Sequence, residues 1–427
     1  MKTFPCRHCG EVLEHSFVNL GMSPFSNSYV PARKGSEGEM SYPLHVYVCH
    51  ECYLVQLAEF EAPEAIFSHE YAYFSSFSKS WLAHAERYRD DMVARFGLGD
   101  DAHISEVASN DGYLLQYFHQ KGMTVTGIEP AANCAAAAEE KGVHSEVCFF
   151  GKEAGERVSQ ERGQADLMAA NNVLAHVPDI HDFVSGFVPM LKPEGVLTFE
   201  FPHLLQLMKF NQFDTIYHEH FSYLALGPVQ AILKAHGLRV FDVAELGTHG
   251  GSLRVFVCHE AAGHERLATV QAMLDTEEKA GLNALATYQD FQGKVTTIKN
   301  DVLSFLVEAQ RAGKSVAGYG AAAKGNTLLN YCGVGPDHIE FVVDLNPAKQ
   351  ETLLPGSRIP VLGVEAIKER KPDYVFILPW NLKSEIMEQM SFIGEWGGQF
   401  VTAIPTVEVS GGVCEGEGQQ DEVYAVL

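Results

Sequence analysis

His103-Ile-Ser-Glu106-Val-Ala-Ser-Asn110-Asp111-Gly112 is the stretch that decides the fold of this 427-residue chain. A short apolar run ends here in a loop with one glycine, and a helical pattern follows the loop. Apolar runs and helical patterns then alternate, as expected for a parallel sheet with helices on both faces. The stretch therefore predicts the first strand of a doubly wound α/β sheet.

Further strands are predicted after this first one, which we place at residues 103–109. Those expected to be parallel to it lie near 124–129, 144–149, 165–171 and 195–201. Two more runs, near 239–246 and 252–258, flank a Gly-rich turn and predict an antiparallel hairpin. Five parallel strands closed by a hairpin describe the class I methyltransferase sheet better than a dehydrogenase domain, which would continue with another parallel crossover.

Polar residues follow several of these strands, at the sheet edge where doubly wound folds bind ligands. The second strand ends in Gly127-Ile-Glu129-Pro130, whose carboxylate can accept both hydroxyls of a ribose. Asp111 stands at a helix start, where a pyrophosphate would need bare amides, so the loop suits the cationic S-adenosyl-L-methionine better than NAD. The alternative is a tight turn without a ligand. The residues predicted to bind the cofactor are Glu106, Ser109, Asn110, Asp111, Gly112, Glu129, Pro130, Asn171 and Asn172.

The segment Asp214-Thr-Ile-Tyr217-His218-Glu219-His220-Phe-Ser-Tyr223 is the predicted chemical centre. Four consecutive side chains can donate or accept protons, and a core role explains them poorly because buried polar groups need partners. A second zinc ion is disfavoured because His218 and His220 stand two apart, whereas zinc-binding histidines on a helix stand four apart. His176, just beyond the fourth strand, is expected to face the same cleft. Acid/base chemistry is the predicted role.

Cys6-Arg-His-Cys9 and Cys49-His-Glu-Cys52 form two Cys-x-x-Cys pairs that predict a Zn²⁺ site. Four thiolates close the coordination shell, which indicates a structural metal. A nucleic-acid-binding ribbon is the alternative, but the chain shows no basic stripe. The other five cysteines are scattered, as expected in a reducing compartment.

Composition excludes several functions. The chain has 31 basic and 55 acidic residues, a formal net charge of −24, which argues against broad contact with nucleic acid. It lacks an N-terminal apolar leader and the roughly 18 uninterrupted apolar residues of a membrane span. We therefore expect a cytoplasmic protein without a membrane or nucleic-acid partner. The oligomeric state stays open, a monomer included.

The C-terminal third repeats a nucleotide-binding pattern. Helix is predicted over residues 261–312, followed by a strand, the turn Gly318-Tyr-Gly320 and a helix that starts near Lys324. Lys324 is a candidate diphosphate anchor, and Asp344, at the end of the next strand, can take a ribose or base. A lone G-x-G is a weak signal, so a purely structural turn is the alternative.

The region before the first strand is rich in aromatic and hydroxyl residues over 61–80, and a helix is predicted from Trp81 to Arg95. The aromatic stretch suits either a loop over a pocket or a packing bridge between domains. The whole pattern predicts a zinc-binding domain at 1–70, a methyltransferase domain at 71–260 and a second Rossmann-like domain at 261–427.

With these pieces named, the chain resembles the S-adenosylmethionine-dependent sugar C-methyltransferases that act on nucleotide-linked keto-deoxyhexoses. The resemblance covers all three predicted domains. Beyond the two cysteine pairs, it rests on E-V-A-S-N-D-G-Y at 106–113, G-I-E-P at 127–130, N-N-V-L-A-H-V at 171–177, Y-H-E-H-F-S-Y at 217–223, H-G-G-S-L-R at 249–254 and G-Y-G-A-A-A-K-G at 318–325.

The resemblance implies zinc, the methyl donor and a dTDP-type keto sugar held between the middle and C-terminal domains. It implies that His220 is the base, with Tyr71, His176, Tyr217 and Glu219 around the sugar. Arg254, Lys324, Asn326 and Asp344 are the expected substrate-binding residues. The expected process is the biosynthesis of branched deoxysugars.

Removing a proton next to a ketone makes the carbon nucleophilic, so such a site needs a base and donors near the oxygen. We expect His220 to take the proton, Tyr217 or His176 to stabilise the enolate, and Glu219 to orient a histidine. The rival hypotheses are an O- or N-methyltransferase of the same fold, an NAD-dependent sugar-nucleotide oxidoreductase and a zinc-ribbon interaction module without turnover.

Overall fold

The structure is a computed structural model that describes residues 4–58 and 74–411. The chain divides into two compact units, which we call unit 1 and unit 2. Unit 1 combines Met1–Phe25 with Ser41–Val295, and unit 2 combines Ser26–Met40 with Thr296–Leu427. The predicted cysteine-rich and methyltransferase domains therefore belong to one unit, while an excursion from the N-terminal region joins the other.

The strands, numbered in chain order over the described residues, are β1 His15–Ser23, β2 Val30–Pro31, β3 Tyr42–Val48, β4 Val55–Leu57, β5 His103–Val107, β6 Thr124–Ile128, β7 Ser145–Glu146, β8 Ala165–Asn171, β9 Leu191–Pro202, β10 Ser222–Tyr223, β11 Leu238–Leu246, β12 Ser252–His259, β13 Val316–Tyr319, β14 Val342–Val343, β15 Thr352–Leu353, β16 Pro360–Leu362, β17 Tyr374–Ile377, β18 Gln399–Thr402 and β19 Glu408–Gly411.

The α-helices of the same residues are α1 Lys79–Phe96, α2 Leu115–His119, α3 Ala132–Glu139, α4 Lys152–Arg162, α5 Ile180–Met190, α6 Leu204–Lys209, α7 Leu226–Lys234, α8 Ala268–Lys279, α9 Leu285–Gln289, α10 Phe291–Arg311, α11 Ala323–Cys332, α12 Glu365–Arg370 and α13 Lys383–Gln389. Short 3₁₀ helices lie at Ala32–Lys34, Ser75–Phe77, Leu174–His176, Phe213–Thr215, Thr248–Gly250, Trp380–Leu382 and Ser391–Trp396.

The central sheet of unit 1 has the strand order β11-β12-β9-β8-β5-β6-β7. Strands β5 to β9 are parallel, and β12 pairs antiparallel with both β9 and β11. Every residue of β5 is buried, because helices cover both faces of a doubly wound sheet. The predicted parallel core and closing hairpin are confirmed, although β7 is only two residues long and β9 begins earlier than predicted.

A smaller antiparallel sheet carries the cysteine-rich region, in the order β1-β3-β4-β10. The first three strands come from the N-terminal region. The fourth, β10, comes from the predicted chemical centre: Ser222 pairs with Gln56, and Tyr223 pairs with Val55. The acid/base segment is therefore part of the sheet that the cysteine pairs border.

Unit 2 contains a second parallel sheet, in the order β19-β18-β17-β13-β14-β16-β15-β2. The five strands from β18 to β16 in this order are parallel, as predicted for a Rossmann-like domain. The edge strand β2, from the N-terminal excursion, pairs antiparallel with β15. No sequence pattern announced this pairing.

The helical region predicted over 261–312 consists of more than one helix. Three helices, α8, α9 and α10, occupy this region, and the first begins at Ala268. Gly281 follows α8 with a φ of +83°, a left-handed conformation that suits glycine and ends a helix. Among the described residues, no helix is long and apolar enough to cross a membrane.

Candidate active site

The four predicted zinc ligands converge. Their sulfurs lie within 4.8 Å of one another, and the Cys6–Cys52 and Cys9–Cys49 sulfur pairs are each 3.5 Å apart. Zn–S bonds of about 2.3 Å in a tetrahedron place sulfurs about 3.8 Å apart. The cluster thus fits Zn²⁺ held by Cys6, Cys9, Cys49 and Cys52, with no open position for a substrate.

One buried side chain beside the cysteine cluster orients it. Gln56 is 1% exposed, and its Nε2 donates to Cys6 Sγ at 3.1 Å. Its Oε1 accepts from the backbone N–H of Arg7 at 2.8 Å. Partners of this kind fix the direction of a metal ligand. Because Gln56 lies in β4, the same residue connects the cysteine cluster to the strand that pairs with β10.

The loop after β5 is held by the acidic residue after β6. Glu129 accepts the N–H of Asn110 and the N–H of Ala131, one at each carboxylate oxygen and both at 2.9 Å. Asn110 has a φ of +48°, which such anchoring helps to maintain. Gly112 has a φ of +73°, and an added Cβ would come within 3.2 Å of Ala138 and Val143. Burial raises the pKa of Glu129.

The same sheet edge holds buried polar atoms that have no hydrogen-bond partner among the described residues. A buried acceptor of this kind is costly unless a ligand or water satisfies it. Their location, at the ends of β5 and β8, is where a doubly wound fold binds its ligand. These atoms are Ser109 Oγ, Asp111 Oδ1 and Asn172 Oδ1. At the same edge, the buried Tyr113 hydrogen-bonds to Glu106 and to Asn171.

The charge of this cleft suits a cationic ligand. Glu106, Asp111 and Glu129 are all buried, and Lys141 lies 2.9 Å from the Oδ2 of Asp111. Burial raises the pKa of Glu106 well above its usual value, and the neighbouring carboxylates raise it further. A bound cation favours the carboxylate form and so offsets this cost. The residues present therefore fit the sulfonium and ammonium of S-adenosylmethionine. Pro130, half-buried, follows Glu129.

The segment before α1 docks on this loop. Ser75 N–H donates to Asn110 Oδ1 at 2.9 Å, and Ser76 N–H donates to Asp111 Oδ2 at 3.3 Å. The Nζ of Lys141 donates to the hydroxyl of Ser76 at 2.7 Å. Tyr71 lies outside the described residues.

Arg254, predicted to bind substrate, is buried and ion-paired. Its Nη2 lies 2.9 Å from Glu200 Oε2, and its guanidinium carbon lies 4.6 Å from the centroid of the Tyr88 ring. Although burial opposes ionisation, hydrogen bonding to His84 and the charge of Arg254 lower the pKa of Glu200 to about 2. The charge of Arg254 is paired with that of Glu200 inside the fold, which favours a structural role for Arg254. The buried Glu200 carried no sequence signal beyond its place at a strand end.

His220 lies within a cluster of rings. Its centroid is 4.6 Å from that of His176 and 4.0 Å from that of Tyr217. Its Nδ1 lies 2.8 Å from the carbonyl oxygen of Thr215. Because a carbonyl oxygen can only accept, Nδ1 carries the proton, and the neutral ring keeps its basic lone pair on Nε2. The structure thus brings together the predicted His220, His176 and Tyr217.

His176 is fixed by a backbone carbonyl, too. Its Nδ1 donates to the Glu219 carbonyl oxygen at 2.8 Å, and the N–H of Phe221 donates to the Ala175 carbonyl oxygen at 2.7 Å. These bonds join the loop after β8 to the acid/base segment. Burial lowers the pKa of His176 to about 4, so the ring is neutral near pH 7. A neutral ring protonated on Nδ1 carries no proton on Nε2.

Backbone carbonyl groups thus orient both histidines. The Glu219 carbonyl oxygen accepts the hydrogen bond from His176 Nδ1, and the Thr215 carbonyl oxygen accepts the one from His220 Nδ1. Sequence gives no signal for this, because every residue has a carbonyl group. His218 is buried and packs edge-on against Phe25 and Tyr42, at centroid distances of 5.3 and 6.2 Å.

In unit 2, the predicted substrate residues differ in accessibility. Lys324 Nζ donates to Asn381 Oδ1 at 2.6 Å and lies 4.7 Å from the Trp380 ring centroid. Asp344 accepts the N–H of Ala321 at 2.8 Å and so closes the Gly-rich turn. Asn326 is fully buried and donates to the Ser26 carbonyl oxygen at 2.6 Å. This geometry favours a structural role for Asn326.

Comparison with known proteins agrees with this organisation. Residues 6–67 match the family model of a zinc binding domain, residues 81–243 that of a methyltransferase domain and residues 247–405 that of a C-methyltransferase C-terminal domain. The C-methyltransferase NovU of Streptomyces niveus is 38% identical over 404 residues, which cover 95% of this chain and 96% of NovU.

Two other similarities are narrower. A ubiquinone biosynthesis O-methyltransferase of Rhodopseudomonas palustris is 27% identical over 92 residues, 22% of this chain and 36% of that protein. A solved SAM-dependent methyltransferase of Anabaena variabilis shares 13% identity over 42% of this chain and 86% of its own, with a TM-score of 0.35.

The sheet order, the matched methyltransferase domain and the cysteine cluster define a class I S-adenosylmethionine-dependent methyltransferase with an N-terminal zinc-binding domain. The 38% identity to NovU, over 95% of this chain, narrows this class to one family. The chain belongs to the family of C-methyltransferases, so the methyl acceptor is a carbon atom.

Proposed function

We propose that this C-methyltransferase acts on a nucleotide-linked keto-deoxyhexose, with dTDP as the carrier and carbon 3 as the methyl acceptor, in branched deoxysugar biosynthesis. The acid/base cluster supports a ketone substrate, because a carbon beside a ketone becomes nucleophilic only after it loses a proton. The resemblance of the motifs at 217–223 and 318–325 to those of sugar C-methyltransferases supports the sugar and its carrier.

The observation that carries the proposal is the hydrogen bond from His220 Nδ1 to the Thr215 carbonyl oxygen. It leaves Nε2 as the basic atom of a neutral imidazole. In our proposal Nε2 takes the proton from the carbon next to the ketone, and the C–H electron pair moves into the new C=C bond of an enolate. The imidazolium that forms keeps its bond to Thr215.

Negative charge then gathers on the former ketone oxygen, where a positioned donor lowers the barrier. Tyr217 is the proposed donor, because its ring lies against His220 and its hydroxyl carries a proton. His176 and Glu219 are proposed to hold the base, through the bonds that join their two loops. Tyr71 stays a predicted contact of the sugar.

S-adenosylmethionine, when bound, supplies a methyl group whose bond to sulfur breaks as the carbon takes it, leaving the electron pair on sulfur. The residues proposed to hold it are those predicted above at the ends of β5, β6 and β8. In unit 2, we propose Lys324 for the diphosphate and Asp344 for the nucleoside, since Lys324 lies in the first turn of the helix after β13 and Asp344 directly follows the parallel strand β14.

Substrate identity is tested by incubating the zinc-loaded enzyme with methyl-labelled S-adenosylmethionine and a panel of dTDP-, GDP- and UDP-linked keto sugars. We expect a mass gain of one methyl group on the dTDP-linked substrate, and a product NMR spectrum with a new carbon–carbon bond at carbon 3. Methyl on oxygen or nitrogen, or turnover of none of these sugars, would contradict the proposal.

Binding of the methyl donor is expected to release a proton from Glu106. Burial raises the pKa of this carboxyl in the free enzyme, and a nearby cation favours the carboxylate and lowers that pKa. Affinity should therefore rise with pH across the interval between the two values, with release of up to about one proton. Calorimetry in two buffers of different ionisation enthalpy measures this number.

The controls for this experiment are a ligand without the positive charge and two variants of the enzyme. S-adenosylhomocysteine lacks the sulfonium charge and should release fewer protons. Glu106→Gln should abolish the linkage, whereas substitution of the exposed Glu245 by Gln should not. Equal proton release by Glu106→Gln and wild type would assign the effect to another group.

A further inference from the structure

Arg7 lies inside the first cysteine pair, but its side chain reaches the acid/base region. Its Nη2 donates to the Leu57 carbonyl oxygen at 2.7 Å, and its Nη1 donates to the Pro178 carbonyl oxygen at 3.3 Å. Its guanidinium carbon lies 5.0 Å from the centroid of the Phe221 ring. One side chain therefore contacts three segments that are distant in sequence.

Each of these contacts is next to a residue of the proposed site. Phe221 follows His220 directly, and Pro178 stands two positions after His176. Leu57 ends β4, and its N–H donates to the Phe221 carbonyl oxygen at 3.0 Å. The backbone of Leu57 is thus held by Arg7 on its carbonyl side and bonded to the acid/base segment on its amide side.

A second path runs through Gln56. Its side chain binds both Cys6 Sγ and the Arg7 N–H, while its backbone lies opposite Ser222 in the β4–β10 pair. The direction of the cysteine pair, the position of Arg7 and the register of β10 are therefore set together. A side chain that only stabilised the turn between Cys6 and Cys9 would not need to reach the loop of His176.

We propose that Arg7 is a positioning residue through which the four-cysteine site sets the placement of His220 and His176. This inference rests on the proposed role of His220. Two donors on one planar group bind two carbonyl oxygens at once, and the same plane covers Phe221. A lysine has a single ammonium that cannot reproduce this fork, so we expect Arg7→Lys to behave like Arg7→Met.

Arg239 offers a matched control, because its Nη2 also bridges two backbone carbonyl oxygens, of Ala262 at 2.7 Å and His264 at 2.6 Å. The experiment compares Arg7→Lys, Arg7→Met and Arg239→Met in the full-length, zinc-loaded protein. Zinc content, amide hydrogen exchange and steady-state kinetics are measured on each.

For both Arg7 variants we expect full zinc content, and about tenfold faster exchange in peptides covering residues 213–224. We also expect kcat to fall about ten- to a hundredfold, with the KM for S-adenosylmethionine unchanged. Arg239→Met should show none of these changes at the site. A residue that served only stability would not lower kcat selectively.

Three outcomes would overturn the inference: loss of zinc from the Arg7 variants, unchanged exchange over 213–224, or unchanged kcat. If wild type turned over no keto sugar, the substrate proposal would fail, and the exchange and zinc measurements would still decide whether Arg7 positions this segment.

Discussion

His220→Asn is expected to lower methyl transfer by about a hundred- to ten-thousandfold, the range typical of removing a general base. Asparagine can still donate a hydrogen bond to the Thr215 carbonyl oxygen but has no basic nitrogen. The loop should therefore keep its place while proton abstraction is lost. Single-turnover rates with the keto sugar and labelled S-adenosylmethionine measure the effect, and calorimetry should give an unchanged affinity for the methyl donor.

His259→Gln is the matched control for this variant, because a glutamine amide reaches the place of Nε2 as an asparagine amide reaches that of Nδ1. The Nε2 of His259 also bonds to a backbone carbonyl oxygen, that of Leu191 at 3.1 Å, but at the end of β12 rather than in the acid/base segment. We expect wild-type rates from it. Near-normal transfer by His220→Asn would show that another group takes the proton.

Cys49→Ser is expected to release the metal and to abolish methyl transfer. Cys49 is fully buried, and its backbone N–H and carbonyl hold the turn to Tyr53 and Leu54 that leads into β4. Structural zinc stabilises small domains by about 10 kcal/mol or more, so its loss should unfold the sheet that includes β10. Zinc content should fall from about one ion per chain to almost none.

Amide hydrogen exchange shows which strands lose protection in the Cys49→Ser variant. We expect peptides of β3, β4 and β10 to exchange faster, while those of the parallel strands β5 and β8 stay protected. Cys148→Ser is the control, because Cys148 lies outside the cysteine cluster. If Cys49→Ser kept its metal, or lost it without faster exchange at β10, the sheet would not depend on zinc.

Most of the central fold could be predicted because its signals are local. Buried parallel strands appear as apolar runs, and polar groups at the ends of β5, β6 and β8 gather because those ends share one edge. The cysteine spacing likewise predicted the cluster. The neighbourhood of His220, His176 and Tyr217 followed from the same rule applied to loops beyond strand ends.

Other features depend on long-range pairing that sequence does not display. Strand β10 is two residues long, and its pairing with β4 is defined by backbone bonds. The same holds for β2 in unit 2 and for the carbonyl groups that orient both histidines. The ion pair of Arg254 is of the same kind, because its partner, Glu200, lies on the adjacent strand β9, more than fifty positions away in sequence; its predicted contact with the substrate stays a prediction.

The most direct test of His220 as the base measures hydrogen exchange at the sugar carbon rather than methyl transfer. The enzyme is incubated in D₂O with the dTDP-linked keto sugar and S-adenosylhomocysteine, so that proton removal can occur without transfer, and the sugar is analysed by NMR. We predict deuterium at the carbon beside the ketone with wild type and none with His220→Asn. Equal exchange by the two proteins, or none by a wild type that methylates the sugar, would contradict the assignment of His220 as the base.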